Sequence, residues 1–329
     1  MRALVISNPG KTEIRDVPEP SPKPGEILLR VRMVGMCGSD LNTFRGNNPM
    51  VSFPRIPGHE IAATVEATGQ NVTLSPYTSC GACAACRRGR PNACQSNQTL
   101  GVQRDGAMTH YIAVPAAKIY EAEGLSIEEL CIVEPLTVGF HAVARGRVTS
   151  GDTVAIFGCG GVGLGAIAAS ACRHAKTIAI DVDDAKLRIA SEAGAAHTIN
   201  SSTEPLHEKL QSLTSGFGPD VIIEAIGLPS TFRAAVEEVA FTGRVVYIGY
   251  AKEPVSYETK LFVQKELDIL GSRNALPEDF AEVIRMLQQH RFPVQSALTK
   301  IVPLEEAGRA LETWSADPAS VSKIMVRVD

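Results

Sequence analysis

Cys80-x-x-Cys83-x-x-Cys86, followed after seven residues by Cys94, gathers four soft donors into one short stretch. Thiolates at this spacing can converge on one tetrahedral cation. With every position filled by protein sulfur such a site is structural and leaves no place for a substrate. Two disulfides are the other chemistry open to four cysteines. The remaining Cys37, Cys131, Cys159 and Cys172 are scattered, so the eight cysteines do not form a disulfide framework. Met1 to Gly10 has too short an apolar run for a signal peptide and reads as an opening strand. The expected location is the cytoplasm, where reduced thiols favour metal over disulfide.

A second chemical pattern is Gly158-Cys159-Gly160-Gly161-Val162-Gly163, which follows the apolar run Val154–Phe157 and opens a helix of small residues. A lone G-x-G-x-x-G is weak, but one placed between a strand and a helix is a dinucleotide turn. Gly158 makes the tight turn and Gly160 lets the backbone approach a pyrophosphate. Gly161 and Val162 begin the helix whose N-terminus favours the anion, and Gly163 permits close helix–strand packing. Asp181 ends the next strand, near the expected distance of about 20 residues. Its carboxylate can accept from ribose hydroxyls and would repel a 2′-phosphate. The residues after it, Val182-Asp183-Asp184, are acidic rather than basic, so NAD is favoured over NADP, with Asp183 or Asp184 better placed to cap the helix.

The stretch Ser79 to Cys94 resembles the zinc lobe of the zinc-dependent medium-chain dehydrogenases, and two other motifs extend that resemblance. Cys37-Gly38-Ser39-Asp40 and Gly58-His59-Glu60 are similar to the family's catalytic-zinc motifs. Ile132-Val133-Glu134-Pro135-Leu136-Thr137-Val138 resembles the segment that supplies a further carboxylate in the polyol (sorbitol) dehydrogenase branch. The resemblance implies two zinc ions per chain, one structural and one catalytic. A catalytic zinc has three protein ligands and an open position. Cys37 and His59 are two of the implied ligands, and either Glu60 or Glu134 is the third. Thr137 is implied as a cofactor contact, Asp40 as the residue that orients His59, and Ser39 as first acceptor of the alcohol proton.

This chain departs from the family pattern at two places. The position where a histidine often passes that proton outward is Asn42, which leaves a water chain or Glu134 to do so. The longer loop usual after Thr68-Gly69 is replaced by a direct run into Gln70-Asn71-Val72.

These residues need elements to hold them. A β-rich first third includes strands at Glu26–Val34 and Ile61–Ala67, with no long helical period before about residue 125. Apolar runs at Val154–Phe157, Ile178–Ile180, Val221–Ile223, Val245–Ile248 and Leu267–Leu270 alternate with helical stretches such as Asp184–Ala193, which implies a doubly wound parallel sheet. Amphipathic helices follow around Phe280–Leu287 and Leu304–Leu311, and a last strand, Lys323–Val328, can return to the first domain. The expected fold class is α/β: a β-rich GroES-like catalytic domain, 1–139, a Rossmann domain, 140–275, and a return to the first domain over 276–329.

A chain of 329 residues exceeds what one core organises, and 44% apolar with 21% charged residues is ordinary globular composition. The net charge of −4 argues against nucleic-acid and membrane-surface binding, so Arg87-Arg88-Gly89-Arg90 reads as a solvated loop. Val154–Cys172 carries no charge and imitates a membrane span, but its regular glycines mark a buried strand–turn–helix.

The expected activity is hydride transfer from a secondary alcohol of a polyol, sugar or sugar acid to NAD, in a homodimer or homotetramer. A general alcohol or threonine-type dehydrogenase is the enzyme alternative. A non-catalytic zinc and NADH-binding sensor is the alternative of another class. Arg273, beyond the last strand of the sheet, suits a substrate carboxylate or a surface salt bridge equally. Phe44, Phe53 and Tyr111 are either pocket walls or core.

Overall fold

The computed structural model describes residues 1–318 and 320–328. The chain forms two compact units. The first takes Met1–Pro135, Leu276–Gln288 and the chain from Val294 on; the second takes Leu136–Ala275 and Gln289–Pro293. The division falls at Pro135, inside the single helix Ile127–Arg145, rather than at the 139/140 junction drawn from the sequence.

The first unit opens with a hairpin of β1 (Arg2–Asn8) and β2 (Lys11–Asp16). Then come β3 (Glu26–Gly35), β4 (Glu60–Val65), β5 (Asn71–Leu74), β6 (Tyr77–Thr78), β7 (Gln98–Thr99), β8 (Tyr111–Pro115) and β9 (Ile119–Glu121). In β3 the set Leu29/Val31/Met33 is fully buried and Leu28/Arg30/Arg32 is not, the alternation the sequence carries. All six residues of β4 are buried, because it lies in the middle of its sheet. The short connection after β4 closes as a turn, with Gln70 O accepting from Val65 N–H at 2.8 Å and Gly69 at φ +75°.

The second unit holds β10 (Thr153–Phe157), β11 (Lys176–Asp181), β12 (His197–Asn200), β13 (Val221–Glu224), β14 (Arg244–Tyr247) and β15 (Asp268–Gly271). They form one all-parallel sheet in the order β12-β11-β10-β13-β14-β15. β12 was not foreseen: Ile199 is its one apolar residue, too little to read as a strand. The uncharged Val154–Cys172 stretch is β10 followed by the helix Gly161–Cys172, and no helix among the described residues is long and apolar enough to cross a membrane.

The chain then returns to the first unit. The amphipathic helix Pro277–Gln288 buries Phe280, Val283, Ile284 and Leu287 as expected. The helix foreseen near Leu304–Leu311 begins as a 3₁₀ turn, Leu304–Glu306, and runs as α-helix over Ala307–Ala316. β16 (Lys300–Pro303) and β17 (Ile324–Arg327) extend the first unit's sheet to β16-β17-β3-β4-β5-β9, with β8 on β3. Val31, Val34, Ile61, Val72, Ile324 and Val326 share its core. Each fully buried aliphatic side chain there contributes about 1.5–3 kcal/mol.

Candidate functional site

β3 ends at Gly35 and delivers Cys37 as the N-cap of the short helix Gly38–Phe44; β4 starts at Glu60, just after His59. The register pairs Gly35 with Glu60 across the two strands. A Cβ at position 35 would stand 1.9 Å from Glu60 Oε2, so only glycine leaves room for that carboxylate. The ligand atoms of Cys37, His59 and Glu60 all lie within 4.8 Å of one another. A sulfur, an imidazole and a carboxylate so placed are the donor set of a zinc with one position left open.

Asp40 holds this convergence together through the backbone. Its Oδ2 accepts from Cys37 N–H at 2.9 Å and its Oδ1 from Gly58 N–H at 3.3 Å, which ties the two ligand-bearing loops to one carboxylate. The direct Asp40–His59 hydrogen bond expected from the sequence is not made: His59 Nδ1 is 4.0 Å from Oδ1 and, among the described residues, has no hydrogen-bond partner. Burial raises the Asp40 pKa, against the pull of His59. Burial works against charge on His59, but the Cys37 sulfur, Asp40 and Glu134 overcome it and raise that pKa well above the ordinary imidazole value. Ser39 Oγ is buried without a partner among the described residues, a hydroxyl free to meet a ligand.

Two carboxylates flank this centre, each with a dedicated partner that the sequence did not reveal. Lys323 Nζ, just before β17, donates to both Glu60 oxygens at 2.7 Å and to Met36 O at 3.2 Å. Burial opposes the charge on Lys323, but Glu60 raises its pKa above the usual lysine value. Glu134, from the helix Ile127–Arg145, accepts from the Tyr77 hydroxyl. It stands outside the convergent set of three, and burial raises its pKa. Phe44 and Phe53 belong to the core, Asn42 is half-buried, and Tyr111 lines a surface cavity of about 280 Å³ with Arg2, Arg30 and His110. Arg273 is half-buried just past β15.

Cys80, Cys83, Cys86 and Cys94 also converge within 4.8 Å, as free thiols. Neighbouring sulfurs stand 3.5 Å (Cys83–Cys86), 3.9 Å (Cys83–Cys94) and 3.5 Å (Cys80–Cys94) apart. A disulfide needs about 2.05 Å, whereas the edge of a tetrahedron with metal–sulfur bonds of about 2.3 Å is about 3.8 Å. The spacing fits a metal and excludes the disulfide pairing. Backbone N–H groups of Cys86 and Gln95 bring the Cys83 thiol down to about 6; desolvation and its sulfur neighbours push Cys86 up to about 11. Arg87 and Arg88 are exposed, as a solvated loop requires.

In the second unit, Gly158 follows β10 at φ +97° and Gly160 caps the helix that begins at Gly161. A Cβ at Gly160 would meet nothing within 4 Å, so open space lies beside the unpaired first-turn amides, which suits a pyrophosphate. Gly163 is the opposite case, since a Cβ there would lie 1.8 Å from Gly158 O. Gly163→Ala is therefore expected to cost about 1–3 kcal/mol of stability and at least about tenfold in NADH affinity. Fluorescence titration with NADH checks this, and an unchanged Kd would show that the turn tolerates a side chain.

Asp181 Oδ2 accepts from Cys159 N–H at 2.7 Å, and Oδ1 from the amides of Val182 and Asp183, so this carboxylate also braces the turn. Asp183 caps the next helix through Ala185 and Lys186 N–H, as its position suggested. Val162 is half-buried in the first helical turn, and Thr137 is fully buried on the helix Ile127–Arg145.

Lys323 escaped notice because a lone lysine opening a strand reads as surface, and Tyr77 because Pro76-Tyr77-Thr78 carries no periodic signal. Only the unusual lysine at the head of an apolar run hinted at the first.

An alcohol dehydrogenase GroES-like domain matches residues 23–124 and a zinc-binding dehydrogenase domain matches residues 161–289. L-galactonate-5-dehydrogenase of Escherichia coli K12 is 30% identical, aligned over 95% of this chain and 94% of its own. Sorbitol dehydrogenase of Bacillus subtilis 168 is 34% identical over 82% of this chain and 81% of its own. The alcohol dehydrogenase RspB of E. coli CFT073, solved with NADH, superimposes with a TM-score of 0.91 at 29% identity, covering 100% of this chain and 99% of its own.

Proposed function

Because the chain belongs to the zinc-dependent medium-chain dehydrogenases, in their polyol-dehydrogenase-like branch, we propose that it oxidises a secondary alcohol of a polyol, sugar or sugar acid to a ketone, with NAD as hydride acceptor. The observation that carries this reading is the convergence of Cys37, His59 and Glu60 within 4.8 Å, beside the unpartnered hydroxyl of Ser39. A zinc ion bound there would supply the Lewis acidity that lowers the pKa of the substrate hydroxyl, and a bound nicotinamide would supply the hydride acceptor.

The residues divide the remaining work. Cys37 and His59 hold the metal, and Glu60 and Glu134 share the third ligand role. Asp40 keeps the two loops in register, and Ser39 Oγ takes the alcohol proton while passing its own on to a water chain or Glu134. The four-cysteine lobe holds a second, structural zinc. Gly158, Gly160, Gly161, Val162 and Gly163 cradle the pyrophosphate, with Thr137 as a further cofactor contact. Asp181 selects NAD over NADP by repelling a 2′-phosphate, with the acidic Val182-Asp183-Asp184 rather than an arginine immediately after it. Eight free thiols suit a reducing cytoplasm, and a homodimer or homotetramer is the assembly proposed.

The test is NADH formation by zinc-loaded protein with a panel of polyols, sugar acids, threonine and simple alcohols. Turnover of a polar secondary alcohol, abolished in Cys37→Ala, is the expected result. Tight NADH binding with no turnover of any panel member would favour a sensor instead.

A further inference from the structure

Tyr77 is 6% exposed, and its hydroxyl donates to Glu134 Oε1. It lies in β6, where it pairs with Thr99 of β7. These two strands are the base of the four-cysteine lobe: Cys80 follows Tyr77 by three residues, and Cys94 precedes Thr99 by five. The base is tied further by Leu100 N–H to Pro76 O at 3.1 Å and by Asn97 Nδ2 to Thr99 Oγ1 at 2.9 Å. The place of the phenol is thus set by a ribbon whose far end is closed by four sulfurs.

We propose that Tyr77 is a positioning residue for the Cys37/His59/Glu60 centre, fixing the Glu134 carboxylate through its hydroxyl while the four-cysteine lobe fixes Tyr77. The proposal rests on the reading that Glu134 works at that centre. A carboxylate with Oε1 engaged by an O–H donor has one face committed, so its other oxygen keeps one orientation. Without the donor Oε1 is no longer pinned by the phenol, and a ligand less firmly oriented binds metal less well. Groups that orient metal ligands in this way typically matter by about 10–100-fold in metal affinity or activity. The lobe therefore does more than stiffen a loop. Its sulfur cluster and the candidate catalytic metal are linked through one phenol.

Tyr77→Phe tests this, since it keeps the buried ring and removes the donor. The protein is loaded with Co²⁺, which reports on both sites by absorption. In Tyr77→Phe the four-sulfur charge-transfer bands and the NADH Kd are expected to stay as in the wild type. The d–d bands of the second cobalt are expected to shift, its affinity to fall about 10–100-fold, and kcat to fall with it. Adding Tyr77→Phe to Glu134→Ala is expected to change nothing further, because the phenol acts through that carboxylate.

An unchanged d–d envelope and cobalt affinity in Tyr77→Phe would overturn the assignment, as would a full additional loss in the double variant. Cys37→Ala separates the two levels. If it removes the second cobalt while Tyr77→Phe leaves that site intact, only the role of Tyr77 falls. If the second cobalt survives Cys37→Ala, the metal centre falls and Tyr77 with it.

Discussion

In the metal-free protein, Lys323→Met is expected to destabilise the first unit by about 3–5 kcal/mol, measured by urea unfolding near pH 7. Glu60 and Lys323 are 1% and 5% exposed, and Nζ donates to both carboxylate oxygens at 2.7 Å. Methionine keeps the apolar stem of the side chain and removes the cation, which leaves a buried carboxylate without its counter-charge and Met36 O without its donor. Glu60→Gln in the same background is expected to restore most of the loss, since a neutral amide needs no counter-ion. The single variant should also bind metal at Cys37/His59/Glu60 more weakly, because the lysine is what orients Glu60. A loss under about 1 kcal/mol in Lys323→Met would mean that water reaches Glu60 and that the pair is not a buried one.

Cys94→Ala is expected to remove one equivalent of zinc per chain and to open residues 79–97 to proteolysis. Within that stretch only Asn92, Cys94 and Asn97 are buried, so no apolar core holds it. Its order comes from the sulfur cluster. Cys94 Sγ is central to that cluster, accepting from Cys80 N–H at 3.3 Å and standing 3.5 and 3.9 Å from two other sulfurs. Where binding energy is folding energy, losing a ligand unfolds the segment, and a chelator should do the same to the wild type. Metal analysis together with limited proteolysis checks both effects. Full zinc content with residues 79–97 still protected would show that the lobe is held by something other than its metal.

What the sequence made legible tracks how local each feature is. The four cysteines and the glycine turn are each confined to a short stretch, and spacing alone carries their chemistry. Cys37 and His59 lie on separate elements and required a resemblance to be joined; the β3–β4 register is what brings them together. Asp40 was recognised as an organising residue, but a motif does not distinguish a carboxylate bound to an imidazole from one bound to two backbone amides. The Glu60–Lys323 pair spans 263 residues and follows only from the sheet order that lays β17 beside β3. The unit boundary at Pro135 falls inside the continuous helix Ile127–Arg145, so no break between elements marks it in the sequence.

That distance along the chain also sets an order of events during synthesis. The second unit is almost continuous, Leu136–Ala275, whereas the first requires β16 and β17 from beyond residue 299. At about 5–20 residues per second, Lys323 is added roughly 13–50 s after Glu60. For that interval the nascent chain carries Glu60 without its lysine and the Met33–Gly35 end of β3 without its β17 partner strand. The dinucleotide unit can mature on the ribosome, while the metal centre is completed only once Lys323 and β17 have been made.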